Sequence, residues 1–92
     1  MKRNPVQDAL KPISELLNSL GPRIRFRKLH GITNALEMQI EDRHYHKHAV
    51  TRLGEAMLAT AELYGIDEQA SLRLEGLVCK LIELAQDPVN RS

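Results

Sequence analysis

Apolar residues recur at three- and four-residue steps from Ala49 to Gln86, interrupted once at Tyr64-Gly65-Ile66-Asp67. Ala49, Val50, Leu53, Ala56, Met57, Thr60, Leu63 and Tyr64 form one stripe, and Leu74, Leu77, Val78, Leu81, Leu84 and Ala85 a second. Such spacing puts each set on one face of a helix, so the pattern predicts an antiparallel helical hairpin over about 44-64 and 67-86. Gly65 suits the left-handed residue that ends a helix, and apolar Ile66 can pack back beyond it. Asp67 is then the expected N-cap, with Glu68 at the positive end of the next helix dipole. A turn centred between Gly65 and Ile66 reflects Gly54 onto Gly76 to within one position. Each glycine costs about 1 kcal/mol relative to alanine inside a helix. One explanation is a shared close approach of the two backbones. The other is two unrelated open faces.

Val6, Ala9, Leu10, Ile13, Leu16, Leu17 and Leu20 form an earlier stripe. With Asp8 as cap, the regular helix spans about 8-20 and Pro12 falls in or just past its first turn, where a missing N–H costs little. Gly21-Pro22 closes it. Two patterns compete over 23-42. Read as strands, Arg23-Ile24-Arg25-Phe26-Arg27 and Leu36-Glu37-Met38-Gln39-Ile40-Glu41 both alternate, predicting a β-hairpin. Read as a helix, Phe26, Leu29, Thr33, Leu36 and Ile40 form a seam, with Gly31 and the cations near the positive end opposing it. Helix is expected after Asn34, where Asn34 and Glu37 fit a capping box; Ile24 to Leu29 fits either. The fold expected is mainly α, a small helical bundle. It forms a single domain over 1-92, with frayed ends at 1-4 and 87-92 and Pro88 stopping the last helix.

Composition narrows how such a bundle is held together. The chain has 92 residues, no Trp, one Phe and two Tyr, so its core must be aliphatic and modest in area. The last helix also carries Leu72, Cys79 and Ile82 off its main face, a stripe wider than one neighbour covers, which predicts a homodimer. The formal charge of +1 gives no global attraction to nucleic acid or membrane. No stretch approaches the roughly 20 apolar residues that cross a bilayer. A single Cys cannot form an internal disulfide, and Met1-Lys2-Arg3-Asn4-Pro5 does not resemble a secretory leader, so a cytoplasmic protein is expected.

Local chemistry is concentrated in two places. Arg23, Arg25, Arg27 and Lys28 put four cations in six residues, a patch for an acidic protein surface or for phosphates. His44, His46 and His48 alternate in the most polar run of the chain, with His30 upstream. On a helix, His44 and His48 share a face at a spacing that chelates metals; as exposed side chains in a connector they simply titrate. Leu29-His30-Gly31-Ile32-Thr33-Asn34-Ala35-Leu36 resembles the phosphoacceptor helix of histidine kinases and their phosphotransfer relatives. That resemblance implies a four-helix bundle with an exposed His carrying phosphate, although Gly31 stands where the motif commonly has an acid. Cys79 has no basic partner beyond neighbouring Lys80 and is expected to stay a thiol in an apolar setting.

The expectation is a small non-enzymatic regulatory, adaptor or inhibitor protein that binds another protein, with no catalytic or metal site and no cofactor. Its partner-binding residues are Arg23, Arg25, Arg27, Lys28, Leu72 and Ile82. The alternative is a nucleic-acid-binding regulator using the same basic cluster. Phosphotransfer and metal binding by the histidines rank below both.

Overall fold

The computed structural model describes residues 5–41 and 46–87. Four helices follow one another: α1 (Pro5–Ser19), α2 (Arg27–Glu41), α3 (Lys47–Tyr64) and α4 (Glu68–Gln86), with a short 3-10 turn, Arg23–Phe26, leading into α2. Each helix packs on its neighbours in sequence, and α1 also packs on α4, which closes the ring. The result is a four-helix bundle of about 36 × 20 × 20 Å. One aliphatic core runs through it, contributed by Val6, Ile13 and Leu17 of α1, Leu29 and Leu36 of α2, Met57 of α3 and Leu74 and Leu81 of α4, among others.

The ambiguous segment 23–42 resolves in favour of helix; among the described residues there is no strand. Phe26, Leu29, Thr33, Leu36 and Ile40 are all buried, as the helical seam requires. Burial explains why this reading wins. Each fully buried Leu or Ile is worth about 1.5–3 kcal/mol, and α2 buries three of them completely or nearly so. Gly31 costs about 1 kcal/mol, and each exposed cation near the positive helix end about 0.3–1 kcal/mol before salt screening. The helix is continuous from Arg27, so Asn34 lies at its middle and the expected capping box is not a helix start.

Two further boundaries differ from expectation. The first helix begins at Pro5, not Asp8, and contains Pro12 in its body. Beginning there brings Val6 into the core with no exposed surface, a gain of about 1.5–3 kcal/mol that is comparable to the roughly 3 kcal/mol a helix-interior proline costs. The α3–α4 turn is built as expected at Gly65, which is left-handed (φ 64°, ψ 43°), its N–H donating to the Glu62 carbonyl at 3.1 Å. Asp67 occupies the N-cap position of α4, yet its side chain makes no capping hydrogen bond. Only its carbonyl, accepting from the Ser71 N–H at 2.8 Å, ties it to the helix.

The buried stripe of α3 is also rotated from the expected one. Val50, Gly54, Met57 and Ala61 face the core, whereas Ala56 is exposed and Leu63 is 88% exposed. Gly54 is what allows this. A Cβ there would lie 2.9 Å from Ile82 Cδ1 and 3.0 Å from Val78 Cγ1, so α4 side chains occupy the space a larger residue needs. Gly76, in contrast, is exposed, and a Cβ there would meet nothing within 4 Å. The two glycines therefore do not share a crossing: one accommodates Val78 and Ile82, the other lies on an open face.

Candidate functional site

Both connections at one end of the bundle meet around Tyr64. Its ring packs edge-on against Phe26, with centroids 5.3 Å apart and planes at 62°, and its hydroxyl accepts a long hydrogen bond, 3.4 Å, from the Lys28 N–H. Phe26 is 5% exposed, and Gly21, at φ 148°, leaves just enough room for the Phe26 ring, which would lie 3.3 Å from a Cβ there. Burying this aromatic turns the polar remainder of the segment outward. Arg23, Arg25, Arg27 and Lys28 are all exposed. The Arg25 guanidinium lies 5.6 Å from the Phe26 ring centre, within cation–π range. Ile24, amid these cations, is 75% exposed.

Beside this cluster is an open groove of about 430 Å³ lined by Arg23, Ile24, Arg27, His30, Gly31 and Asn34. The residues follow one another at three- and four-residue steps, so they share one side of the 3-10 turn and of α2, where Arg23 and Arg27 supply the charge. Among the described residues, no carboxylate lines the groove. His30 is only 6% exposed, and its Nε2 is buried with no hydrogen-bond partner. Burial, and then the positive charge of Arg23, push its pKa below the usual histidine value, because both disfavour a second positive charge. An unpartnered buried polar atom of this kind typically costs about 1–3 kcal/mol. The phosphotransfer resemblance implies an exposed histidine at this position; here the imidazole is enclosed.

The remaining candidate residues are dispersed. Leu72 is 64% exposed and Cys79 is exposed on α4, while Ile82 is half-buried with its Cδ1 against Gly54. Part of the wide apolar stripe on α4 is thus used within the chain. Of the alternating histidines, His44 lies outside the described residues. His46 caps α3, its Nδ1 accepting from the His48 N–H at 3.3 Å, and the two rings are 5.0 Å apart. Among the described residues, no three His, Cys, Asp or Glu side chains gather as a metal cluster would, and no helix is long and apolar enough to cross a membrane.

The groove itself was not anticipated. The arginines were visible as a run, but His30 and Asn34 join them only once 23–34 is helical, and the four-residue step from Arg23 to Arg27 was the available signal. No protein-family model matches the chain, and no curated protein or solved structure matches it either.

Proposed function

We propose that this is a small non-enzymatic regulatory or adaptor protein, including the inhibitor class, that acts in the cytoplasm by binding another protein through the surface around Arg23, Arg25, Arg27 and Lys28. The observation that carries the reading is the combination of four exposed cations with an exposed Ile24 at one end of the bundle. Solvent-facing isoleucine is unexceptional alone. Ringed by arginines it has the composition of a binding patch, an apolar contact with charges that select the partner.

The second reading, a nucleic-acid-binding regulator, uses the same four cations. Single-strand recognition relies on aromatic platforms, and Phe26, the aromatic in this segment, is buried. Homodimerisation belongs to the proposal as well, through exposed Leu72 and Cys79 on α4.

Affinity capture from the native cell, across a salt series and with nuclease treatment, tests the reading. A protein retained after nuclease treatment by the wild type, and lost when Arg23, Arg25, Arg27 and Lys28 are changed to Gln, is the expected result. Retention of nucleic acid with a steep loss on raising salt, as counterion release requires, would replace this reading with the second one.

A further inference from the structure

We propose that the groove of Arg23, Ile24, Arg27, His30, Gly31 and Asn34 is a docking site for an acidic peptide segment of the partner, with a carboxylate held by the arginines and a neighbouring apolar side chain resting on Ile24. The inference rests on the protein-binding reading above and adds the chemistry of what is bound.

The lining is one-sided in its hydrogen bonding. Two guanidiniums offer only donors, the Asn34 amide adds two more beside its carbonyl acceptor, and among the described residues no acidic side chain lines the groove to neutralise the charge. Arginine forks match planar carboxylates in two-point contact. His30 is the second, independent indication. The residue lines the groove and is more than nine-tenths buried, yet among the described residues Nε2 has no hydrogen-bond partner. Chains rarely leave such an atom unmatched without a reason. In the tautomer that protonates Nε2, a carboxylate drawn in by the arginines supplies the acceptor this buried atom lacks once the ring turns toward the groove, and it also offsets the Arg23 charge that disfavours protonation.

Gly31 is the third feature. It stands within a helix whose other residues gain from a side chain, and nothing lies within 4 Å of where its Cβ would be. Packing inside the chain therefore does not require glycine here. An occupant approaching the helix backbone would. Ile24, 75% exposed, favours a peptide over a phosphodiester, because a nucleic-acid backbone has no apolar side chain to place on it.

The test is an NMR titration of the full-length, isotope-labelled chain. The probe is a short peptide alternating Glu and Leu; its controls are the same peptide with Gln for Glu, inorganic phosphate and a duplex oligonucleotide. The Glu peptide is expected to give saturable shifts at the His30 imidazole, the Gly31 amide and the Asn34 side chain. Arg23→Gln with Arg27→Gln is expected to weaken binding at least about tenfold, the loss of one charged hydrogen bond. Gly31→Gln should weaken it similarly while leaving the melting temperature equal or higher, which separates blocked docking from unfolding. Equal binding of the Gln peptide, unchanged affinity in both variants, or shifts that avoid these residues would overturn the proposal. So would tighter binding of phosphate or of the duplex at the same residues. If the groove fails while a captured protein partner is lost on changing Leu72, protein binding stands and the docking site falls; if no protein partner is captured by any route, both fall.

Discussion

Gly65, Ile66 and Asp67 carry the chain from α3 to α4 in one tight turn, while Leu20 to Phe26 uses seven residues to join α1 to α2 at the same end of the bundle. The first connection is occupied with closure: a left-handed glycine, one backbone hydrogen bond and an N-cap carbonyl. The second includes a 3-10 turn, buries Phe26 against Tyr64, and exposes Ile24 with two arginines, Arg23 and Arg25. The contrast separates a turn that only closes a hairpin from one that also leaves cations and an apolar side chain exposed, and the proposed binding surface runs from the longer connection onto α2.

The largest expected effects belong to the packed side of the molecule. Gly54→Leu should lose at least about 3 kcal/mol, because overpacking a filled site forces neighbours off their rotamers. Gly54→Ala should be milder. The Ile82 Cδ1 at 2.9 Å is a side-chain end that can turn, but Val78 at 3.0 Å is fully buried and β-branched. A cost of about 1–3 kcal/mol against a propensity gain of up to about 1 kcal/mol leaves it neutral to destabilising. Ile82→Val should recover part of the loss, and chemical denaturation of the single and double variants would read that non-additivity. Gly76→Ala, on the open face, should instead stabilise by up to about 1 kcal/mol. Equal behaviour of the two glycines would contradict the description of this interface.

Next in size is the aromatic pair that holds the two connections together. Tyr64→Ala should cost about 2 kcal/mol, less than a fully buried aromatic because Tyr64 is half-buried. Tyr64→Phe removes only a 3.4 Å hydrogen bond and should cost less than about 1 kcal/mol. Thermal melts rank the two. If Tyr64→Ala leaves stability unchanged, the connections are not coupled through this contact.

His30 gives a smaller effect with a definite sign. Its folded pKa lies below the ordinary 6.5, so as pH falls through about 6.5 the unfolded chain takes up the proton first. The contribution of this residue to stability should therefore decline with acidification, levelling off only below the folded pKa. His30→Leu removes both the titrating group and the unmatched Nε2, and should stabilise by about 1 kcal/mol at pH 7 with a wider margin at pH 5. Denaturant melts of the two proteins at both pH values measure the difference. A margin that narrows at pH 5 would reverse the sign assigned here.

Much of the bundle was legible along the chain because aliphatic spacing decides it. The α4 stripe of Leu74, Val78, Leu81 and Ala85 and the turn at Gly65 follow directly from step and glycine chemistry. The stripe of α3 was less legible, since Gly54 and Ala61 mark it by smallness, which hydrophobic spacing alone does not register. Pro12 was misread for a related reason: a local penalty was weighed without the burial of Val6, which depends on α1 meeting its neighbours. Over 23–42 two periodicities coexisted, and only the tertiary gain of burying Phe26, Leu29, Leu36 and Ile40 selects the helix. The candidate site inherits that ambiguity. Its arginines stood out by charge, but their alignment with His30, Gly31 and Asn34 exists only in the helical register.

The contrast between the two exposed apolar positions, Ile24 at 75% and Leu72 at 64% exposure, leads to the most direct test. A photoreactive amino acid is placed at either position in the full chain and irradiated in the native cell, and the adducts are identified by mass spectrometry. Ile24 is expected to yield a heteromeric protein adduct whose cross-linked segment is acidic, and Arg23→Gln with Arg27→Gln is expected to abolish it. Heteromeric adducts at Leu72 alone, or nucleic-acid adducts at Ile24, would contradict this expectation.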